Sequence, residues 1–79
     1  MRRYRIEVQQ YFDNIKISSN CAGITFVNNG SLMYINNFPV AAGASLSFEA
    51  NENELDSTEY NINFAGTIGD LWVFKKLFI

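Results

Sequence analysis

Residues Thr25 to Phe48 read TFVNNGSLMYINNFPVAAGASLSF, a stretch with no charge, no cysteine and no histidine. Ile24 and Phe26 lead into Asn28-Asn29-Gly30, and Leu32, Tyr34 and Ile35 continue beyond it. Asn-Gly accepts the positive φ angles of a tight turn that matches strand twist, so this segment predicts a hairpin. Pro39 has no N–H to donate to a ladder, which predicts a loop from Asn36 to Gly43. Ala44, Leu46 and Phe48 then alternate with Ser45, Ser47 and Glu49 as a further strand.

Working outward, the same two-residue period governs the chain. Tyr4, Ile6 and Val8 alternate with Arg3, Arg5 and Glu7, and Ile15 and Ile17 with Asn14, Lys16 and Ser18. Tyr60, Ile62 and Phe64 alternate with Asn61 and Asn63 as a half-buried strand. Leu71 to Ile79 is apolar on both faces, which predicts a strand covered on both sides. It ends on Ile79, an apolar residue suited to docking. No window has the 3.6-residue period of an amphipathic helix. The reading is an all-β, small antiparallel β-sandwich, Ig-like or jelly-roll-like, with about seven short strands in one domain over residues 1–79.

Composition narrows the role. A 79-residue chain buries only about 60% of its unfolded surface, and such domains are usually stapled. Cys21 alone cannot make an internal disulfide, and without histidine a zinc site has too few ligands. Yet 48% of residues are hydrophobic and 15% aromatic, an excess that another protein chain would cover. The start has no apolar leader and no run of 18 apolar residues occurs, so neither a signal peptide nor a membrane span is expected. The free Cys21 fits a protein made in a reducing cytoplasm.

Catalysis is not expected. No histidine is present to serve as a base near neutral pH, and Cys21 reads as a small core residue. Glu52, Glu54 and Asp56 stand at alternate positions, as calcium ligands do, but lack the glycine and terminal glutamate of an EF-hand loop. They read as a solvated acidic loop, and no metal or cofactor is expected.

Charge is segregated. Arg2, Arg3, Arg5 and Lys16 against Glu7 and Asp13 leave +2 on residues 1–16. Glu49, Glu52, Glu54, Asp56, Glu59 and Asp70 leave −6 on residues 17–70, and Lys75 and Lys76 return +2. Such polarity suits docking onto a charged neighbour. Nucleic acid is not expected as a partner, because the sequence pI is about 4.8 and no reader motif occurs. The candidate interface therefore joins Arg2, Arg3, Arg5, Lys75 and Lys76 to the apolar Trp72, Phe74, Leu77, Phe78 and Ile79.

The segments Phe26-Val-Asn-Asn-Gly30, Ile35-Asn-Asn-Phe-Pro39, Gly43-Ala-Ser-Leu-Ser-Phe48 and Asn51-Glu-Asn-Glu-Leu-Asp56 resemble small β-sandwich virion proteins of phages infecting Bacteroidetes-type bacteria. The resemblance covers residues 4–79 loosely and 24–64 best. It implies a structural role as a minor capsid, decoration or head–tail or fibre-attachment protein, packed against other virion proteins or copies of itself. Two other expectations follow from the aromatics and the acidic loop: a carbohydrate- or receptor-binding module, or an inhibitor of a host protein.

Overall fold

The computed structural model describes residues 3–50 and 54–79. Among the described residues eight strands form: β1 (Tyr4–Tyr11), β2 (Ile15–Ser18), β3 (Gly23–Asn28), β4 (Met33–Ile35), β5 (Phe38–Val40), β6 (Ser45–Glu49), β7 (Glu59–Asn63) and β8 (Leu71–Phe78). They make two four-stranded sheets, in the orders β1-β8-β3-β6 and β2-β7-β4-β5. Every pairing is antiparallel.

Four of these pairs are nested. β1 pairs with β8, β2 with β7, β3 with β6 and β4 with β5. The chain is thus one long hairpin with its tip between β4 and β5, rolled up so that successive stretches fall alternately into the two sheets. This is the strand order of a jelly roll, which resolves the choice between that fold and an Ig-like sandwich.

The tip is Asn36-Asn37, where both residues have positive φ, 49° and 67°. That is the geometry of a two-residue type I′ turn, which asparagine tolerates almost as glycine does. Two expectations are corrected here. Asn28-Asn29-Gly30 is not a hairpin, because β3 and β4 lie in different sheets. Pro39 does not sit in a loop. It lies within β5, an edge strand where its missing N–H faces away from β4.

Where the ribbon passes from one sheet to the other, its two chains stay bonded. Ser19 N–H donates to Thr58 O at 3.1 Å, and Asp56 N–H to Cys21 O at 2.8 Å. At the next crossing Asn28 N–H donates to Ala44 O at 3.0 Å, and Gly43 N–H to Asn28 O at 2.7 Å. The Asn28 side chain is fully buried there. Its amide donates to the carbonyls of Ser31 (2.8 Å), Val40 (3.0 Å) and Ala41 (3.2 Å), and its oxygen accepts from Gly30 N–H at 3.0 Å. A Cβ on Gly30 would stand 3.0 Å from Asp70 N, so this glycine permits a close approach of two backbones rather than a tight hairpin.

The core fills the space between the sheets. Ile24, Phe26, Leu71 and Val73 come from the first sheet and Ile17, Met33, Ile35, Val40, Tyr60 and Ile62 from the second, with Cys21 and Phe64 at the crossings. Phe26 meets Tyr60 edge to face, with ring centroids 5.0 Å apart, a favoured aromatic geometry.

Asn28→Asp keeps the size of the side chain but replaces its donor group with an acceptor facing three carbonyls. The expected loss is about 2–3 kcal/mol, read by urea denaturation. A loss below about 0.5 kcal/mol, the range of neutral surface changes, would remove Asn28 from this role.

Candidate functional site

Strand register decides which candidate residues share a surface. Tyr4 faces Phe78, Ile6 faces Lys76, Val8 faces Phe74 and Gln10 faces Trp72. On the other side of β8, Phe74 faces Thr25 and Trp72 faces Val27. Facing residues of an antiparallel pair point to the same side. Leu71 and Val73 alternate with these and are buried between the sheets. The even-numbered residues of β1 and β8 therefore form the outer face of the first sheet.

That face is apolar. Tyr4, Ile6 and Val8 are 56%, 52% and 46% exposed, and Trp72, Phe74 and Phe78 are half-buried by their neighbours. Lys76 Nζ lies 4.7 Å from the Tyr4 ring centroid, so its charge is held over an aromatic face. Gln10, the amide at the end of this face, donates to Asp70 Oδ1 at 2.6 Å. The expectation that β8 is covered on both sides is met within the chain only on the inner side.

The predicted interface residues therefore divide. Trp72, Phe74, Lys76 and Phe78 stand on the outer face, while Arg5, Lys75 and Leu77 point to the opposite side. Lys75 Nζ donates to Ser18 O at 2.9 Å, and Leu77 packs against the core. Arg3 is exposed just before β1, Ile79 is 76% exposed just after β8, and Ile79 N–H donates to Arg3 O at 3.0 Å. Arg2 lies outside the described residues. Tyr4, Ile6 and Val8 complete the face, and Ile6 and Val8 were legible only as strand alternation. Their place beside Trp72 and Phe74 needed the pairing of β1 with β8.

A second apolar surface was not foreseen. A cleft of about 350 Å³ opens between the sheets where β5 and β6 form adjacent edges, lined by Ile35, Asn36, Phe38, Leu46, Phe48 and Tyr60. Its polar groups are already engaged. Asn36 Oδ1 accepts from Asn61 N–H at 2.7 Å and its amide donates to Glu59 O at 3.3 Å. Tyr60 O–H donates to Asp56 Oδ2 at 2.7 Å. Phe48 stacks on Tyr60 with centroids 5.7 Å apart. Phe38 and Phe48 were the available signal, hidden by reading Phe38 into a loop.

The acidic segment is turned to structural use where it is described. Asp56 Oδ1 accepts from Thr58 N–H at 2.9 Å, and Ser19 Oγ donates to the Asp56 carbonyl at 2.6 Å. Burial works to raise the Asp56 carboxyl, but hydrogen bonds from Thr58, Tyr60 and Ser19 outweigh it and hold the group below its ordinary range. Burial and the neighbouring Asp56 push the Tyr60 hydroxyl up to about 12. Glu54 is exposed and Glu52 lies outside the described residues. Among the described residues no three acidic, thiol or imidazole groups gather in a metal-holding cluster. Cys21 is free and buried, and burial raises its thiol.

No known protein family, curated protein or solved structure matches the chain. Among the described residues no helix is long and apolar enough to cross a membrane.

The lowered Asp56 carboxyl gives stability that is complete above its unfolded value, near 3.9, and is lost as pH falls through the folded value. The raised Tyr60 hydroxyl acts oppositely: its share is complete below about 10 and is lost as pH rises toward about 12. Asp56→Asn is expected to be less stable at pH 7 and to lose less on going to pH 3 than the parent chain, measured by urea melts at both. Equal acid losses in the two chains would exclude Asp56 as the titrating group.

Proposed function

We propose that the protein is a non-enzymatic structural component of a phage virion, a minor capsid, decoration or head–tail or fibre-attachment protein that works by packing against other chains. The observation that carries this reading is the outer face of the first sheet. Soluble single domains seldom leave contiguous aromatic and aliphatic side chains open to water unless a partner covers them. Here Tyr4, Ile6, Val8, Trp72, Phe74 and Phe78 stand side by side on paired strands. Aromatics that a partner chain buries are the usual anchors of protein interfaces.

The fold agrees with the proposal without deciding it, because jelly rolls serve capsid, lectin and cupin proteins alike. The chemistry of the surface favours packing over the other two expectations. A sugar site needs free polar groups beside its aromatics, whereas Gln10 is bound to Asp70, Thr25 Oγ1 shares a hydrogen bond with Ser47 Oγ and Lys76 is held over the Tyr4 ring. An acidic decoy needs a free array of carboxylates, and Asp56 is committed to Thr58 and Tyr60.

Mass spectrometry of purified particles is the direct test, and stoichiometric presence is the expected result. Absence from the particle, with the protein found only in host lysate, would overturn the assignment. Phe74→Asp, on the outer face and away from the core, is expected to fold and to enter particles at least about tenfold less well, as loss of an interface anchor implies.

A further inference from the structure

The edges of the two sheets are not equally guarded. β5 is three residues long, and Pro39 places a nitrogen without hydrogen on its open side. β2 has four residues and presents Lys16, a residue that discourages strand addition. β6 turns the backbone of Ser45, Ser47 and Glu49 outward, since Ala44 and Ala50 are bonded toward β3. β1 is eight residues long and ends the first sheet.

The bonding of β1 fixes which of its groups are open. Ile79 N–H donates to Arg3 O at 3.0 Å, and Tyr4 faces Phe78. Odd-numbered residues of β1 therefore turn their backbone toward β8, and Tyr4, Ile6, Val8 and Gln10 turn theirs outward. The side chains that flank this edge are charged in a self-matching order. Arg5 and Glu7 stand either side of Ile6. Among the described residues the ion pair is that of Lys16 with Glu59, at 3.7 Å, and neither Arg5 nor Glu7 has a partner of opposite charge at that range.

We infer that β1 pairs antiparallel with β1 of a second copy about a two-fold axis at Ile6, joining the first sheet of each copy, β1-β8-β3-β6, into one continuous sheet. In this register Ile6 faces Ile6 of its twin, Tyr4 faces Val8 and Arg5 faces Glu7, each in both directions. The outward backbone groups of Tyr4, Ile6 and Val8 meet as hydrogen-bonded pairs. The Arg5 and Glu7 pairs fall at the non-hydrogen-bonded positions, where side chains stand closest. Neighbouring registers are disfavoured by charge. Centring the axis on Arg5 or on Glu7 sets like charges face to face, and centring it on Tyr4 sets Arg3 against Arg5. Centring it on Val8 leaves Arg5 against Tyr11 and Glu7 against Gln9. An isologous contact of this kind closes on itself as a dimer. It doubles the length of the apolar outer face, with Tyr4, Ile6 and Val8 of both copies at its centre. The inference deepens the packing role proposed above, but it rests on the register of β1 and not on a place in a particle.

Sedimentation of the purified chain tests it. The parent chain is expected to be a dimer that weakens with salt. Arg5→Glu and Glu7→Arg each set like charges opposite one another twice, and each is expected to raise the dimer dissociation constant by roughly tenfold or more. Mixing the two variants is expected to restore a dimer, because one chain then presents two acids and the other two bases. The double variant Arg5→Glu, Glu7→Arg is expected to dimerise like the parent, and it gives the answer even where a single variant fails to fold. A monomeric parent chain, an assembly unmoved by either charge reversal, a mixture that stays monomeric, or a monomeric double variant would each overturn the pairing. A monomeric parent that still enters particles would remove this contact and leave the virion proposal standing. A dimer that is absent from particles would do the reverse.

Discussion

The fully buried carboxamide of Asn28 sits where the rolled ribbon turns from one sheet to the other. A sandwich can leave few backbone groups unpaired in its interior, and at this crossing three carbonyls converge on one side chain. The Asn28 amide answers those of Ser31, Val40 and Ala41, and its oxygen takes the Gly30 N–H. Its own backbone meanwhile exchanges bonds with Gly43 and Ala44 on the returning strand. Remove that side chain and the β3–β4 and β5–β6 connections lose their common anchor. The inner half of the roll depends on it, and the outer half is laid over the inner.

The same economy governs the other crossings. Asn14 Oδ1 accepts from Phe64 N–H at 2.8 Å and Ser19 Oγ bridges the Asp56 and Thr58 carbonyls at 2.6 and 3.1 Å. Asn36 ties the tip of the hairpin to β7. Short polar side chains thus serve as fasteners in a domain whose single cysteine cannot form an internal disulfide. Each satisfied bond contributes only about 1 kcal/mol net, but each left unmade inside the sandwich would cost more.

Strands were legible because their alternation is regular, and seven of the eight lie where Tyr4, Ile17, Phe26, Ile35, Leu46, Ile62 and Val73 place them. The topology was hidden by two local signals. Asn28-Asn29-Gly30 and Asn36-Asn37 both permit a tight turn, and only the second closes a hairpin. What separates them is burial of the Asn28 side chain, a property of the folded interior that no turn rule contains. Pro39 excluded a strand under a rule that holds for central positions and fails at an edge. The candidate surface was legible as a list of apolar and basic residues. Its division into two sides of one sheet was not, because that needs to be known that β1 lies beside β8.

The nested pairing has a kinetic side. β4 and β5 are joined by two residues, but Tyr4 must find Phe78 from the far end of the ribbon. Folds dominated by such distant contacts form slowly, since loop-closure entropy is lost before the contacts repay it. During synthesis β1 emerges long before β8 exists to receive it. Its alternating Tyr4, Ile6 and Val8 then travel as an unpaired, sticky strand, flanked by the charges of Arg3, Arg5 and Glu7, and charges on an open strand blunt unwanted pairing.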